Sequence, residues 1–323
     1  MLSDKVLDIL EQNRGSIVTG GEIARRLGVS RTAVWKTIAA LRDDGHEIES
    51  VPNSGYRLNQ NSDGLNVTVI GSYLTTEKLG RSMELLKSVD STNSYLKAKD
   101  TAALPDGHAV IADEQTGGRG RLGRPFYSPA GSGVYLSCLL KPQISLSETP
   151  FLTICAAVAV CRAVRGACGI QADVKWVNDI YYQGRKLCGI LTEAGISAEM
   201  QSVDYAVVGM GVNTGGIAPE IKEIATSVFE ATGVRGIRNR LAAGILNHFE
   251  LVYLDYANHG KKQEILDEYA NRLFIAGKTV KVTERDGSYE AVALGIDDAG
   301  RLIVKRADGE AAVLSAGEIS LSL

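Results

Sequence analysis

The spacing of apolar residues changes character twice along this chain, and each change marks the edge of a separate folding unit. In residues 1–60 the period is helical. Val6, Leu7, Ile9 and Leu10 make one stripe, which Gly15-Ser16 interrupts. Thr19 with Glu22 three residues on has the form of a capping box and predicts a helix carrying Ile23, Ala24 and Leu27, closed by Gly28. Ser30 caps the next helix, from Arg31 to about Asp44, whose inner face is Ala33, Val34, Ile38 and Leu41. Two short helices across a glycine-containing turn form a helix-turn-helix. Apolar runs at 48–51 and 56–58, parted by Pro52-Asn53-Ser54-Gly55, predict a β-hairpin, or wing. The polar stretch 59–64 reads as a linker, so the first unit is a winged helix-turn-helix over residues 1–64.

From 65 to 270 strand-like runs (83–89, 109–112, 134–140, 173–177, 186–193, 205–210) are interspersed with helix-like ones (92–99, 149–167, 236–256). This predicts a central α/β domain with one mixed sheet. From 271 to 323 the runs are short and β-patterned, at 278–283, 289–296, 302–305 and 311–314. Arg285-Asp286-Gly287, Asp298-Ala299-Gly300 and Ala307-Asp308-Gly309 separate them as turns. Such a segment predicts a small SH3-like β-barrel packed on the main domain. The fold class is therefore α+β, multidomain.

The 323 residues carry a formal charge of -3, which excludes a chain that is cationic throughout; a nucleic-acid site has to be local. No apolar run reaches bilayer length, since the longest, 151–164, contains Arg162. The first residues lack the apolar stretch of a signal peptide, so a cytoplasmic protein without a membrane partner is expected. The five cysteines are odd in number and include no C-x-x-C pair. Buried free thiols are expected, not disulfides or a zinc site.

Residues 117–124, Gly-Gly-Arg-Gly-Arg-Leu-Gly-Arg, contain four glycines and three arginines. Glycines let backbone N–H groups approach anionic oxygens, and guanidinium groups bind phosphate or carboxylate in bidentate fashion. No Lys-Ser/Thr follows, so this is no Walker A loop, and the spacing is not that of a dinucleotide fingerprint. A phosphate cradle competes here with a solvated basic loop or an RNA-binding segment. Its composition predicts a loop that orders over a bound anion.

Lys175-Trp176-Val177-Asn178-Asp179 ends one strand and Arg185-Lys186-Leu187 begins another, with a tight turn expected in 180–184. A hairpin brings Lys186 beside Asn178 and Asp179, where Asp179 either holds a metal or orients the lysine. A plain surface ion pair is the competing reading. At Asp90-Ser91-Thr92-Asn93 a strand gives way to a helix, and the Ser91 or Thr92 side chain caps it.

Ser91-Thr92-Asn93, Gln115, Gly118 to Arg124, Lys175-Trp176-x-Asn178-Asp179, Arg185-Lys186-Leu187-x-Gly189-Ile190-Leu191 and Gly209-x-Gly211-x-Asn213 follow in this order. The set resembles the biotin protein ligase family. The winged helix and the C-terminal barrel make it similar to the bifunctional bacterial members that also repress biotin-operon transcription, and the resemblance covers essentially the whole chain. It implies that biotin and ATP, with Mg²⁺, give biotinyl-5′-adenylate and pyrophosphate, and that a lysine of a biotin carboxyl carrier protein then takes the biotin. By the same resemblance Arg121, Lys186 and Asp179 are catalytic. Ser91, Thr92, Asn93, Gln115, Gly118, Arg119, Gly120, Arg121 and Lys186 bind biotin or the adenylate. Arg124, Asn178 and Asn213 serve ATP or its ribose, and Asp179 is the candidate metal ligand. Arg121 is expected to retain the adenylate, and strands 134–140 and 186–193 to wall an apolar pocket. The family usually has proline where this chain has Val177, which is expected to keep an extended backbone there. Two alternatives are a ligand-sensing repressor without catalysis and a lipoate- or octanoate-type ligase. The retained Lys186 and arginines speak against the first, and the loop and winged helix against the second.

At the N-terminal end, Ser30, Arg31, Thr32 and Lys36 lie on the first half of the expected recognition helix, where DNA contacts arise. Trp35 there either packs inward or touches the DNA backbone. Residues 1–60 hold eight Lys/Arg and eight Asp/Glu, so binding rests on placement and its salt dependence is modest. One winged helix reads a half-site, so operator DNA calls for a homodimer, which the resemblance implies the adenylate promotes.

Overall fold

The computed structural model describes residues 1–197, 202–284, 287–315 and 317–321. The first unit comprises α1 (Leu2–Gln12), β1 (Ile17–Val18), α2 (Gly20–Leu27), α3 (Arg31–Asp43), β2 (Ile48–Val51) and β3 (Gly55–Leu58). Its three-stranded sheet runs β1-β3-β2, all antiparallel. Val6, Leu10, Ile23, Val34, Ile38 and Leu58 form its own core. Thr19 Oγ1 accepts the Glu22 N–H at 3.0 Å, one half of the expected capping box. The Glu22 carboxylate turns outward instead and pairs with Arg26 at 2.5 Å.

The segment 59–64 is bound from both sides. Arg14 Nη1 donates to the carbonyls of Asn59, Gln60 and Ser62 at 3.3, 3.0 and 2.7 Å. From the other side the Arg238 N–H donates to Asp63 Oδ1 at 2.8 Å and Asn239 Nδ2 to the Gly64 carbonyl at 2.8 Å.

The central unit continues with α4 (Val67–Tyr73), β4 (Met83–Leu86), α5 (Thr92–Ala98), β5 (Ala109–Ala112), β6 (Gly133–Leu140), α6 (Thr149–Cys168), β7 (Asp173–Lys175), β8 (Asp179–Tyr182), β9 (Arg185–Ser197), β10 (Ser202–Asn213), α7 (Val228–Thr232), α8 (Arg238–His259) and α9 (Lys262–Ala270). One mixed sheet runs β4-β5-β6-β10-β9-β8-β7, with β4 and β5 parallel and the other pairs antiparallel. Alternate residues face opposite ways: Val110, Leu139 and Val207 pack on Leu96 of α5, while Ile111, Cys138 and Val208 join the core beneath α6 and α8. A sheet covered on both faces needs near-continuous apolar strands, as β6 has. With the turn before it, α6 (Leu146–Cys168) is long and apolar enough by length and composition to cross a membrane, contrary to the expectation drawn from Arg162. Its apolar side chains, from Phe151 to Val164, are buried against the sheet and α8. All five cysteines are free, and all but the half-buried Cys168 are buried.

The C-terminal unit has β11 (Thr279–Glu284), β12 (Gly287–Ile296), β13 (Leu302–Arg306), β14 (Ala311–Leu314) and β15 (Glu318–Leu321), paired antiparallel in the order β14-β13-β12-β11-β15. The turn expected at Arg285-Asp286 lies outside the described residues. Val280, Val282, Ala293 and Leu302 continue the central core, and the Gly300 carbonyl accepts Trp176 Nε1 at 2.9 Å.

Candidate active site

Where β6, β10 and β9 run side by side, a cavity of about 390 Å³ opens between the sheet, the loop 117–127 and the rim of the C-terminal unit. Its floor is backbone. Gly211 of β10 pairs directly with Gly189 of β9, and Gly209 lies two residues away. A Cβ at Gly211 would stand 2.5 Å from Phe126 Cε1, and one at Gly189 would stand 3.3 Å from Phe126 Cε2. One at Gly209 would overlap the Asn93 amide. Bare strands thus let an aromatic ring and an amide lie flat on the sheet.

A polar chain lines one end. The Thr92 N–H and Oγ1 donate to Gln115 Oε1 at 2.9 and 3.1 Å, and Gln115 Nε2 donates to Ser128 Oγ at 3.0 Å. Ser137, fully buried, stands 2.7 Å from Thr92 Oγ1 and 2.6 Å from Asn93 Oδ1. Asn93 Nδ2 donates to the Leu191 carbonyl at 3.1 Å and to Glu193 Oε2 at 2.8 Å. Lys97 pairs with the same Glu193. Both Asn93 amide hydrogens are therefore committed within the protein, so Asn93 fixes the pocket wall. Ser91 caps α5, accepting the Ser94 N–H at 3.5 Å.

The glycine-arginine loop folds back on itself. The Phe126 N–H donates to the Gly118 carbonyl at 2.8 Å and the Gly120 N–H to the Arg124 carbonyl at 2.7 Å. Gly118 does not line the cavity. It stands behind the wall, where a Cβ would meet the Phe126 carbonyl at 2.5 Å. Leu122 and Gly123 are both left-handed (φ 56° and 73°), which exposes Leu122 at the tip. Arg121 turns inward, its Nη1 donating to Asn178 Oδ1 at 3.4 Å. Burial pulls this guanidinium's pKa below its ordinary value, with Asp179, Tyr269 and Glu318 acting in opposition. Arg124 reaches across to Glu318 of β15.

The lysine-aspartate corner differs in detail from expectation. Residues 179–182 form strand β8, and the turn is confined to Gln183-Gly184, both at positive φ. Val177 lies in a turn and not in extended strand, and the Trp176–Val177 peptide is cis. The Val177 carbonyl accepts Tyr269 Oη at 3.0 Å. Asn178 is pinned to β9, its Nδ2 donating to the Ile190 carbonyl at 2.8 Å and its own carbonyl accepting the Ile190 N–H at 2.9 Å. Lys186 Nζ stands 2.7 Å from Asp179 Oδ1, so of the two roles open to Asp179 the geometry favours orienting the lysine. No cluster of three metal-ligating side chains occurs among the described residues.

Asn213 Nδ2 donates to the Thr226 carbonyl at 3.0 Å and so secures a segment that sequence reasoning missed. This segment pairs with the start of β9 (Lys186 N–H to Ile224 carbonyl, 2.9 Å) and brings Ile217, Ile221 and Ile224 to the cavity. Phe126, Lys175 and Glu318 were also missed as site residues and line it. Lys175 lies half-buried with its ammonium 5.4 Å from the Tyr181 ring centroid. Burial lowers its pKa, Asp179 acts in opposition, and Lys186 lowers it further. The strand 134–140 does supply wall residues, Tyr135 and Leu136, as expected.

The residues expected on DNA stand apart from the cavity, on α3. Ser30 Oγ accepts the Ala33 N–H at 3.1 Å, and Ser30, Arg31, Thr32 and Lys36 are all exposed, while Val34, Ile38 and Leu41 are buried.

Comparison with known proteins matches residues 85–213 to the Biotin/lipoate A/B protein ligase family, residues 3–57 to an HTH domain and residues 275–322 to the Biotin protein ligase C terminal domain. The chain is 37% identical over 321 residues to the Bifunctional ligase/repressor BirA of Bacillus subtilis, covering 98% of this chain and 97% of that one. To its namesake in Escherichia coli it is 31% identical, covering 95% and 94%. The structure of biotin protein ligase from Aquifex aeolicus in complex with biotin and ATP superposes with a TM-score of 0.64 at 30% identity, over 75% of this chain and 99% of that one.

Proposed function

The chain belongs to the biotin protein ligase family, in the form that carries a helix-turn-helix, and on that premise we propose how its cavity works. The protein is a biotin--[acetyl-CoA-carboxylase] ligase: it makes biotinyl-5′-adenylate from biotin and ATP and transfers the biotin to a lysine of a carrier protein. It is also a biotin-dependent repressor that binds operator DNA through its winged helix.

In our reading Phe126, seated flat on the glycine floor, forms one apolar wall for the rings of biotin, and Ser91, Thr92 and Gln115 meet its ureido end, held by Ser137 and Asn93. A cavity of about 390 Å³ is within the range of small-molecule sites. Adenylation joins two anions, the carboxylate and the α-phosphate. Arg119, Arg121, Lys175 and Lys186 all face the cavity and offset that repulsion. Asp179 holds Lys186 toward the reacting oxygens, while Arg124, Asn178 and Asn213 serve the nucleotide. The two carboxylates that line the cavity, Asp179 and Glu318, each face a cation, Lys186 and Arg124, so the residues present do not fit a resident metal site. We therefore place Mg²⁺ on the ATP phosphates, as part of the substrate.

The same reading divides the chain into a DNA-binding unit at 1–64, a catalytic unit at 65–270 and an SH3-like barrel at 271–323, the last supported by its five short antiparallel strands. Two winged helices are needed to read a full operator, so the repressing form is a homodimer promoted by the adenylate. Five unpaired cysteines support a cytoplasmic location.

The observation that carries this reading is the convergence of Arg119, Arg121 and Lys186 on the mouth of one glycine-floored cavity. Pyrophosphate exchange into ATP tests it. Exchange dependent on biotin and absent with lipoate is expected; exchange with lipoate alone would overturn it.

A further inference from the structure

Of the two tryptophans, Trp176 is buried and Trp35 is 60% exposed. Trp35 stands on the flank of α3, about a quarter turn round from the core stripe of Val34, Ile38 and Leu41, among the exposed Arg31, Thr32 and Lys36. The helix therefore does not use the indole for its own packing.

The cations around it are few. Of the eight Lys and Arg in residues 1–60, Arg14 is bound to linker carbonyls, Arg26 pairs with Glu22, and Arg57 pairs with Glu49 at 2.7 Å. Arg42 donates to the Ile48 carbonyl at 2.6 Å and to Ser50 Oγ at 2.8 Å. Lys5, Arg25, Arg31 and Lys36 remain, and of these Arg31 and Lys36 stand on either side of Trp35 round α3. Two cations per helix give a weak, sequence-independent hold on phosphates, so discrimination has to come from the groove. The major groove offers one apolar group, the C5-methyl of thymine, and Trp35 offers a large apolar surface one turn into the helix that enters it.

We infer that Trp35 is a specificity residue that reads thymine by contact with its C5-methyl, while Arg31 and Lys36 hold the flanking phosphates. The inference rests on the DNA-binding reading above and goes beyond it. To test it, duplexes are selected from a random pool with the full chain saturated with biotin and ATP, and each thymine is then replaced by uracil, which lacks only the methyl. At the position read by Trp35 the wild type should lose about fourfold in affinity, the value of one buried methyl-sized group. In Trp35→Ala that penalty should vanish and overall affinity fall, with the slope of affinity against salt unchanged. Lys36→Ala should instead reduce the slope by about 0.9. Wild-type far-UV circular dichroism and thermal midpoints in both variants verify that the N-terminal unit, which has its own core, is folded. The inference is overturned if Trp35→Ala binds the selected duplexes like wild type, if its uracil penalty persists, or if the substitution weakens self-association without DNA, which would make Trp35 an interface between copies. If the loaded chain selects no duplex at all, the DNA-binding reading falls with it.

Discussion

Gly211→Ala would test the floor of the cavity directly. The added Cβ would stand 2.5 Å from Phe126 Cε1 and 2.8 Å from Cζ, where ordinary contact begins at 3.4 Å, so about 0.9 Å has to be made up. Strand β10 has little freedom to supply it, because Gly211 is paired with Tyr135 on one side and Gly189 on the other. The Phe126 backbone is also tied, its N–H to the Gly118 carbonyl at 2.8 Å and its carbonyl to Ser128 Oγ at 3.0 Å. The ring itself has to swing, and the open space beside it is the cavity. Overpacking of this kind costs about 1–3 kcal/mol. Here the cost falls on the ligand, so the Kd for biotin should rise about fivefold to a hundredfold while the thermal midpoint barely moves. Titration calorimetry with biotin, beside a thermal melt, separates the two. Phe126→Leu in the Gly211→Ala background should restore most of the affinity, a non-additive rescue expected only of groups in contact. Wild-type affinity in Gly211→Ala, a loss of stability without loss of affinity, or absence of rescue would each refute the reasoning.

Lys175 has to be protonated to face phosphate, and burial lowers its pKa, so pyrophosphate exchange should fall on the alkaline side before the ordinary lysine value of 10.5; Lys175→Arg should move that limb upward. His46 is buried with its pKa held below 6.5 by desolvation, so the unfolded chain binds the extra proton, and stability should drop as pH falls below that value. Thermal melts across pH would show this, and His46→Leu should flatten the acid limb. Leu122 is 80% exposed at the loop tip, so limited proteolysis should cut there, and biotin with ATP should slow the cut. Equal rates with and without ligand would show that the loop does not close over the adenylate.

The N-terminal unit was legible because its signals are local. A serine or threonine before each of α2 and α3, and apolar residues at helical spacing, need no distant partner to be read. The cavity-lining residues near Ser91, Arg119 and Lys186 were legible as a group because their chemistry is unusual for its place in the chain. What escaped was set by pairing between distant strands. Strand β8 begins at a charged residue, and β15 is only four residues long and pairs with β11 from far along the chain. Ser137 is a small polar residue in an otherwise apolar strand, and only the register of β6 puts it beneath Thr92 and Asn93. Gly209 and Gly211 were visible as a motif, but their use depends on which side chains lie above them. Residues 217–224 carry no regular period, so nothing marked their isoleucines as wall.

Arg238, barely 2% exposed, bears on how such a chain can be recombined. Besides its bonds to Asp63, it donates to the Gly133 carbonyl at 2.8 Å and pairs with Asp113 at 2.7 Å. One side chain thus serves the connecting segment, the first residue of β6 and the loop just before Gln115. Transplanting a foreign DNA-reading head onto this enzyme by a cut inside 59–64 would sever bonds that both halves share. A graft that carries residues 1–66 with Arg14, onto a recipient that keeps Arg238 and Asn239, preserves the whole set, so the workable crossover lies after the segment that reads as a spacer.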